Sequence, residues 1–104
     1  MTAAAHRLGP VTAVPLGEGR AYRAGDAQVA VFRLRDGSLR ALDARCPHAG
    51  GPLADGQTDL ARVVCPLHAR AWSFADGSCP EGGSVAVFAV RDEGGEIVLE
   101  TPAR

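Results

Sequence analysis

A chain of 104 residues, 46% hydrophobic and 22% charged, is the size of one domain and has the composition of a folded globular protein. With 11 basic and 12 acidic residues the formal net charge is -1 and no basic cluster occurs, so nothing in the charge pattern supports binding to nucleic acid or a membrane surface. The longest apolar run, Val85 to Val90, is too short to span a bilayer, and the first residues lack the apolar core of a signal peptide; the expectation is a cytoplasmic protein.

In chain order, residues 1–10 read as a loose arm closed by Gly9-Pro10, with His6 a solvated surface side chain. Val11 to Val14 reads as a short strand, Pro15 to Arg20 as a turn, and Arg20 to Arg23 as a second strand. Gln28 to Arg35, rich in β-branched and aromatic residues and followed by Asp36-Gly37, is the clearest hairpin signal, with Ser38 to Asp43 as its return. Ala30, Phe32 and Leu34 alternate with Val29, Val31 and Arg33, which predicts one buried face and another that turns polar toward the turn.

The next segment, about 44–80, carries the chemistry. Cys46-Pro47-His48 and Cys65-Pro66-Leu67-His68 place one thiolate and one imidazole in each of two matched loops. Two Cys and two His suffice for a tetrahedral zinc, but a zinc finger usually keeps its cysteines together and its histidines together on a helix. One of each per loop suits a 2Fe-2S cluster with both Cys on one iron and both His on the other. The two candidates on the residues alone are therefore an iron–sulfur electron carrier and a zinc-stapled interaction module. Pro47 and Pro66 stiffen the loops, and Gly50 and Gly51 permit a close backbone approach to a metal group, although the same residues also serve as ordinary turn punctuation.

Between the loops, 55–59 reads as a turn and Leu60 to Val64 as a strand delivering Cys65. Trp72 and Phe74 read as core residues that shield the metal site, Asp76-Gly77 as a turn, and Cys79-Pro80 as a third loop. With two cysteines claimed by the metal, Cys79 has no disulfide partner, which fits a reducing compartment. Ser84 to Arg91 and Glu96 to Glu100 form a second hairpin around Glu93-Gly94-Gly95. No apolar period of 3.6 persists, so the fold class is all-β. No activated nucleophile, acid–base pair or nucleotide-binding glycine motif stands out, so no catalytic residue is expected within this chain.

The Cys-Pro-His loop followed by glycines, together with the second Cys-Pro-x-His loop, resembles the signature of the Rieske family. The resemblance implies that Cys46, His48, Cys65 and His68 ligate a Rieske-type 2Fe-2S cluster. Pro47, Gly50, Gly51, Pro66 and Trp72 would surround it, and Pro80 would lie on a loop that covers it. It extends over nearly the whole chain and implies one Rieske domain over 1–104: an antiparallel β-sandwich base formed by 11–43 and 81–100, with a cluster-binding subdomain inserted at 44–80. High-potential members carry an extra disulfide and two hydroxyl donors at positions that here hold Gly51, Leu67, Arg70 and Trp72, so the resemblance is to low-potential Rieske-type ferredoxins. Ala69 departs from the glycine often found there. Val14 to Arg20 and Val29 to Leu34 resemble the small subunit of assimilatory NAD(P)H-dependent nitrite reductases, which implies a large partner subunit bearing flavin and sirohaem. Ferredoxins that feed aromatic-ring dioxygenases are the nearest competitor.

Overall fold

The computed structural model describes residues 4–45, 52–66 and 70–101. Among the described residues, nine strands form two antiparallel sheets. β1 (Ala4–Pro10), β2 (Glu18–Ala24), β3 (Ala27–Arg33), β4 (Leu39–Asp43), β8 (Val87–Glu93) and β9 (Glu96–Thr101) make a six-stranded sheet in the order β1-β9-β8-β4-β3-β2. β5 (Gln57–Thr58), β6 (Arg62–Val64) and β7 (Ala71–Ser73) make a small sheet in chain order. The helical content among the described residues is two 3-10 turns, Val11–Ala13 and Leu53–Asp55. No helix among them is long and apolar enough to cross a membrane.

The two expected hairpins form as β3–β4 and β8–β9. The first is closed by Asp36-Gly37-Ser38, in which the Asp36 carboxylate accepts from the Ser38 backbone N–H at 2.9 Å and from its hydroxyl at 2.6 Å. Asp76-Gly77-Ser78 repeats both bonds, at 3.0 and 2.7 Å, in the turn that follows β7. The same tripeptide gives the same local turn in two different sheets because the side-chain acceptor replaces a backbone partner.

Four expectations are corrected. Residues 4–10 of the N-terminal arm are not loose: β1 pairs with β9 from Ala4↔Thr101 to Pro10↔Glu96, so its backbone groups find partners in an otherwise open edge. His6 is accordingly half-buried, with Nε2 3.1 Å from Thr101 Oγ1. Val11–Ala13 winds into a 3-10 turn rather than a strand, tied by the Val14 N–H donating to the Val11 carbonyl at 3.1 Å. Most consequential is β3, where Val29, Ala30, Val31 and Phe32 are all 0% exposed, so neither face turns to solvent.

The reason is that β3 is shared by two cores. Val29 and Val31 point into the base, among Val11, Val14, Leu39, Ala41, Ile97 and Leu99, where the curled six-stranded sheet closes on itself. Ala30 and Phe32, with Leu34 and Leu42, point the other way, into a core completed by Leu53, Val63, Cys65, Trp72, Phe74 and Cys79. An edge hairpin can leave one face wet, whereas a strand between two layers must be apolar on both. Gly19 on β2, paired with Phe32, clears room for that ring: a Cβ there would lie 2.6 Å from Phe32 Cδ1 and 2.8 Å from the Ala54 carbonyl oxygen. The Phe32 ring meets Phe74 at a centroid distance of 5.2 Å and a tilt of 55°, and this pair joins the base to the small sheet.

Candidate metal centre

Cys65 lies immediately beyond β6, 1% exposed, and its backbone N–H donates to the Arg70 carbonyl at 2.8 Å. That bond continues the β6–β7 ladder of Arg62↔Ser73, Val63↔Trp72 and Val64↔Ala71 by one step. It ties together the two ends of the second Cys-Pro loop. The root of the first Cys-Pro loop is tied in the same way: Arg45 and Pro52 form an isolated bridge, and the Leu53 N–H donates to the Ala44 carbonyl at 2.9 Å. Cys46, Pro47, His48, Gly50 and Gly51 of the first loop, and His68 of the second, lie outside the described residues.

The two loop roots adjoin. The chain leaves the first root through the Leu53–Asp55 turn and enters β5, which pairs with β6 as Gln57↔Val64 and Thr58↔Val63. At Gly56 the backbones come so close that a Cβ would overlap the Val64 carbonyl oxygen and Val63 Cγ2 and sit 3.1 Å from the Leu53 carbonyl oxygen. A bare backbone is needed there for the first root to pack on the strand that delivers Cys65. The Asp55–Asp59 region is therefore a 3-10 turn plus a two-residue strand rather than a turn alone, and Leu60, expected to start a strand, is 58% exposed ahead of β6.

A third loop stands beside these. Cys79 and Gly83 close it, through the Cys79 N–H to the Gly83 carbonyl at 3.2 Å and the Gly82 N–H to the Cys79 carbonyl at 2.9 Å. Pro80 is exposed on this loop and Pro66 is exposed after Cys65, while Trp72 and Phe74 are buried as expected. Cys79 is buried and its thiol donates to Glu81 Oε1 at 3.0 Å. That bond, helped by the Arg70 charge, holds the Glu81 carboxyl below its ordinary pKa. Sequence reasoning left Cys79 unassigned and did not single out Glu81. The Cys-x-Glu spacing at a Pro turn was the available signal.

The donor chemistry fits an iron–sulfur group. The soft sulfur of Cys65 sits at the end of a strand, walled by Val63, Trp72, Leu53 and Phe74, so water is kept from one side of it. The family profile of the Rieske [2Fe-2S] domain matches residues 5–97. The chain belongs to this family.

As a Rieske domain it binds a Rieske-type 2Fe-2S cluster and carries electrons. It is 28% identical to a Mycobacterium tuberculosis chain described as an NADH-dependent nitrite reductase small subunit, each covered over 100% of its length, with a TM-score of 0.91. It is also 28% identical to the Sphingomonas yanoikuyae B1 ferredoxin, covering 95% of this chain and 100% of that one, with a TM-score of 0.81. Among curated sequences it is 36% identical over 74 residues to the oxygenase component of 3-ketosteroid-9-alpha-monooxygenase from Mycolicibacterium smegmatis, covering 71% of this chain. The chain spans 19% of the length of that relative.

Proposed function

We propose that Cys46 and Cys65 hold one iron of the cluster and His48 and His68 the other, and that this Rieske domain passes single electrons as the small subunit of an NAD(P)H-dependent nitrite reductase. The cluster supplies a one-electron couple whose added electron is favoured on the histidine-ligated iron. Cys65 and the pinned loop roots hold the group, and Trp72, Phe74 and Leu53 exclude water from its inner side. Residues 44–80 act as the cluster lobe and the six-stranded sheet as its base. Substrate chemistry belongs to a larger partner carrying flavin and sirohaem. The potential is low in the Rieske range, about -150 mV, for want of the extra disulfide and of the two side-chain hydroxyls that high-potential members carry.

The observation that carries the assignment is the end-to-end match, over all of both chains, to the nitrite reductase small subunit. The ferredoxin reading draws on the equal identity to the Sphingomonas protein. Affinity capture of the tagged protein from its source cell at physiological salt separates the two. Recovery of a flavin- and sirohaem-bearing subunit, whose nitrite reduction stops when Cys46 and Cys65 are replaced, supports the proposal. Recovery of an aromatic-ring oxygenase overturns it.

A further inference from the structure

The indole N–H of Trp72 is a buried donor with no acceptor. The side chain is 1% exposed, and Nε1 is shut off from solvent with no hydrogen-bond partner. Hiding an unpaired N–H is costly, so a fold that keeps this one calls for an acceptor in the working state. Among the described residues, the two other buried unpaired polar atoms, Tyr22 Oη and Arg33 Nε, belong to the base. Tyr22 packs against the base core, and the Arg33 guanidinium already donates to the Val14 carbonyl at 3.4 Å.

Sheet register places Trp72 next to Cys65. Val63 pairs with Trp72, and Cys65 bonds to Arg70, so Val63, Cys65 and Trp72 share one buried face of the small sheet. Trp72 is thereby the diagonal cross-strand neighbour of Cys65, a separation of about 7–8 Å that an aromatic side chain spans. The six-membered ring of the indole is occupied elsewhere: a Cβ at Gly83 would come 3.8 Å from its Cη2. The N–H belongs to the five-membered ring.

We propose that Trp72 Nε1–H donates a hydrogen bond to an anionic sulfur at the cluster, the Cys65 thiolate or a bridging sulfide, and so raises the reduction potential of this domain. This rests on Cys65 being a ligand. A donor at a sulfur favours the more negative, reduced state, and hydrogen bonds to charged acceptors are about twice as strong as neutral ones. Trp72 is thus a positioning and tuning residue.

The test is Trp72→Phe in the cluster-loaded protein, which keeps an aromatic body and removes the N–H. The equilibrium constant for one-electron reduction is expected to fall about tenfold, or about 59 mV; a change of less than about twofold overturns the proposal. Rebuilding both proteins with selenide in place of sulfide separates the acceptors. A wild-type-to-variant step that shrinks marks a bridging sulfide, and an unchanged step marks the Cys65 thiolate. If the variant does not load, the wild type still decides. Trp72 is the one tryptophan in the chain, so its labelled indole gives a single N–H resonance. Slow solvent exchange and a shift between apo and loaded protein support the bond, and exchange as fast as that of free tryptophan overturns it. Zinc without sulfide in the purified protein would instead sink the ligand assignment, whereas intact iron and sulfide with an unmoved potential would sink this inference alone.

Discussion

Replacing Phe32 with alanine should cost more than any other single truncation in β3, because that ring is where base and cluster lobe meet. It is 0% exposed, fills the space cleared by Gly19, and packs on Phe74. Truncating a fully buried Phe costs about 3–5 kcal/mol, of which the lost aromatic pair is about 0.5–1.5. With an unfolding entropy of about 2.1 cal/mol/K per residue, a loss of about 4 kcal/mol across the 104 residues lowers Tm by about 18 °C. The cluster should also be lost at lower temperature, since Phe32, Leu53, Cys65 and Trp72 share one core. Val31, on the opposite face of the same strand, lies in the base core, so Val31→Ala, at about 2 kcal/mol, should lower Tm and leave cluster retention in the folded state unchanged. Circular dichroism reports the sheet and visible absorbance reports the cluster in the same melt. A Tm drop below about 5 °C for Phe32→Ala, or equal cluster loss in both variants, would refute the idea of two cores sharing one strand.

Purified protein should contain about two irons and two acid-labile sulfides per chain; His48→Ala and His68→Ala should lose them, whereas Cys79→Ser should retain them, as iron and sulfide assays will show. Gly77→Ala should cost about 3 kcal/mol, because φ is +75° there and a Cβ would overlap the Val85 carbonyl oxygen, whereas Gly37→Ala, at φ +87° with open space around it, should cost only about 1–2 by denaturant titration. Asp36 and Asp76, each held below the ordinary carboxyl pKa chiefly by the following serine hydroxyl, and Asp59, held down by the Ala61 and Arg62 N–H groups, bind protons more weakly folded than unfolded. Their stabilisation is therefore full above the unfolded pKa near 4 and is lost as pH falls through the lowered folded values; Asp36→Asn with Asp76→Asn should flatten the acid limb of a Tm-against-pH curve.

The surface adds little to this account. Arg7 reaches Glu93 and Glu96, and Arg91 reaches Glu93 and Glu100, across β1, β8 and β9. All are well exposed, and such pairs contribute about 0–1 kcal/mol each. They fit the observation that β1 is held mainly by its backbone ladder to β9.

What the sequence by itself determined is whatever depends on neighbours along the chain. Asp36-Gly37-Ser38 and Asp76-Gly77-Ser78 make their turns from their own side chains, the two hairpins follow from alternation and turn residues, and the paired Cys-Pro loops announce a metal group. Tertiary structure decided what depends on contacts distant in sequence. Residues 4–10 look loose because nothing local orders them, and they become a strand when β9 presents an open edge at the far end of the chain. Val29 and Val31 read as one face of an ordinary half-exposed hairpin, yet both faces of β3 are buried because residues such as Leu53, Val63, Trp72, Phe74 and Val85 pack over the second one. The unpaired Trp72 N–H beside Cys65 likewise emerges only when β6 and β7 are set in register. Local bonds form between residues a few positions apart whatever the rest of the chain does, whereas burial is a property of what comes to lie on top.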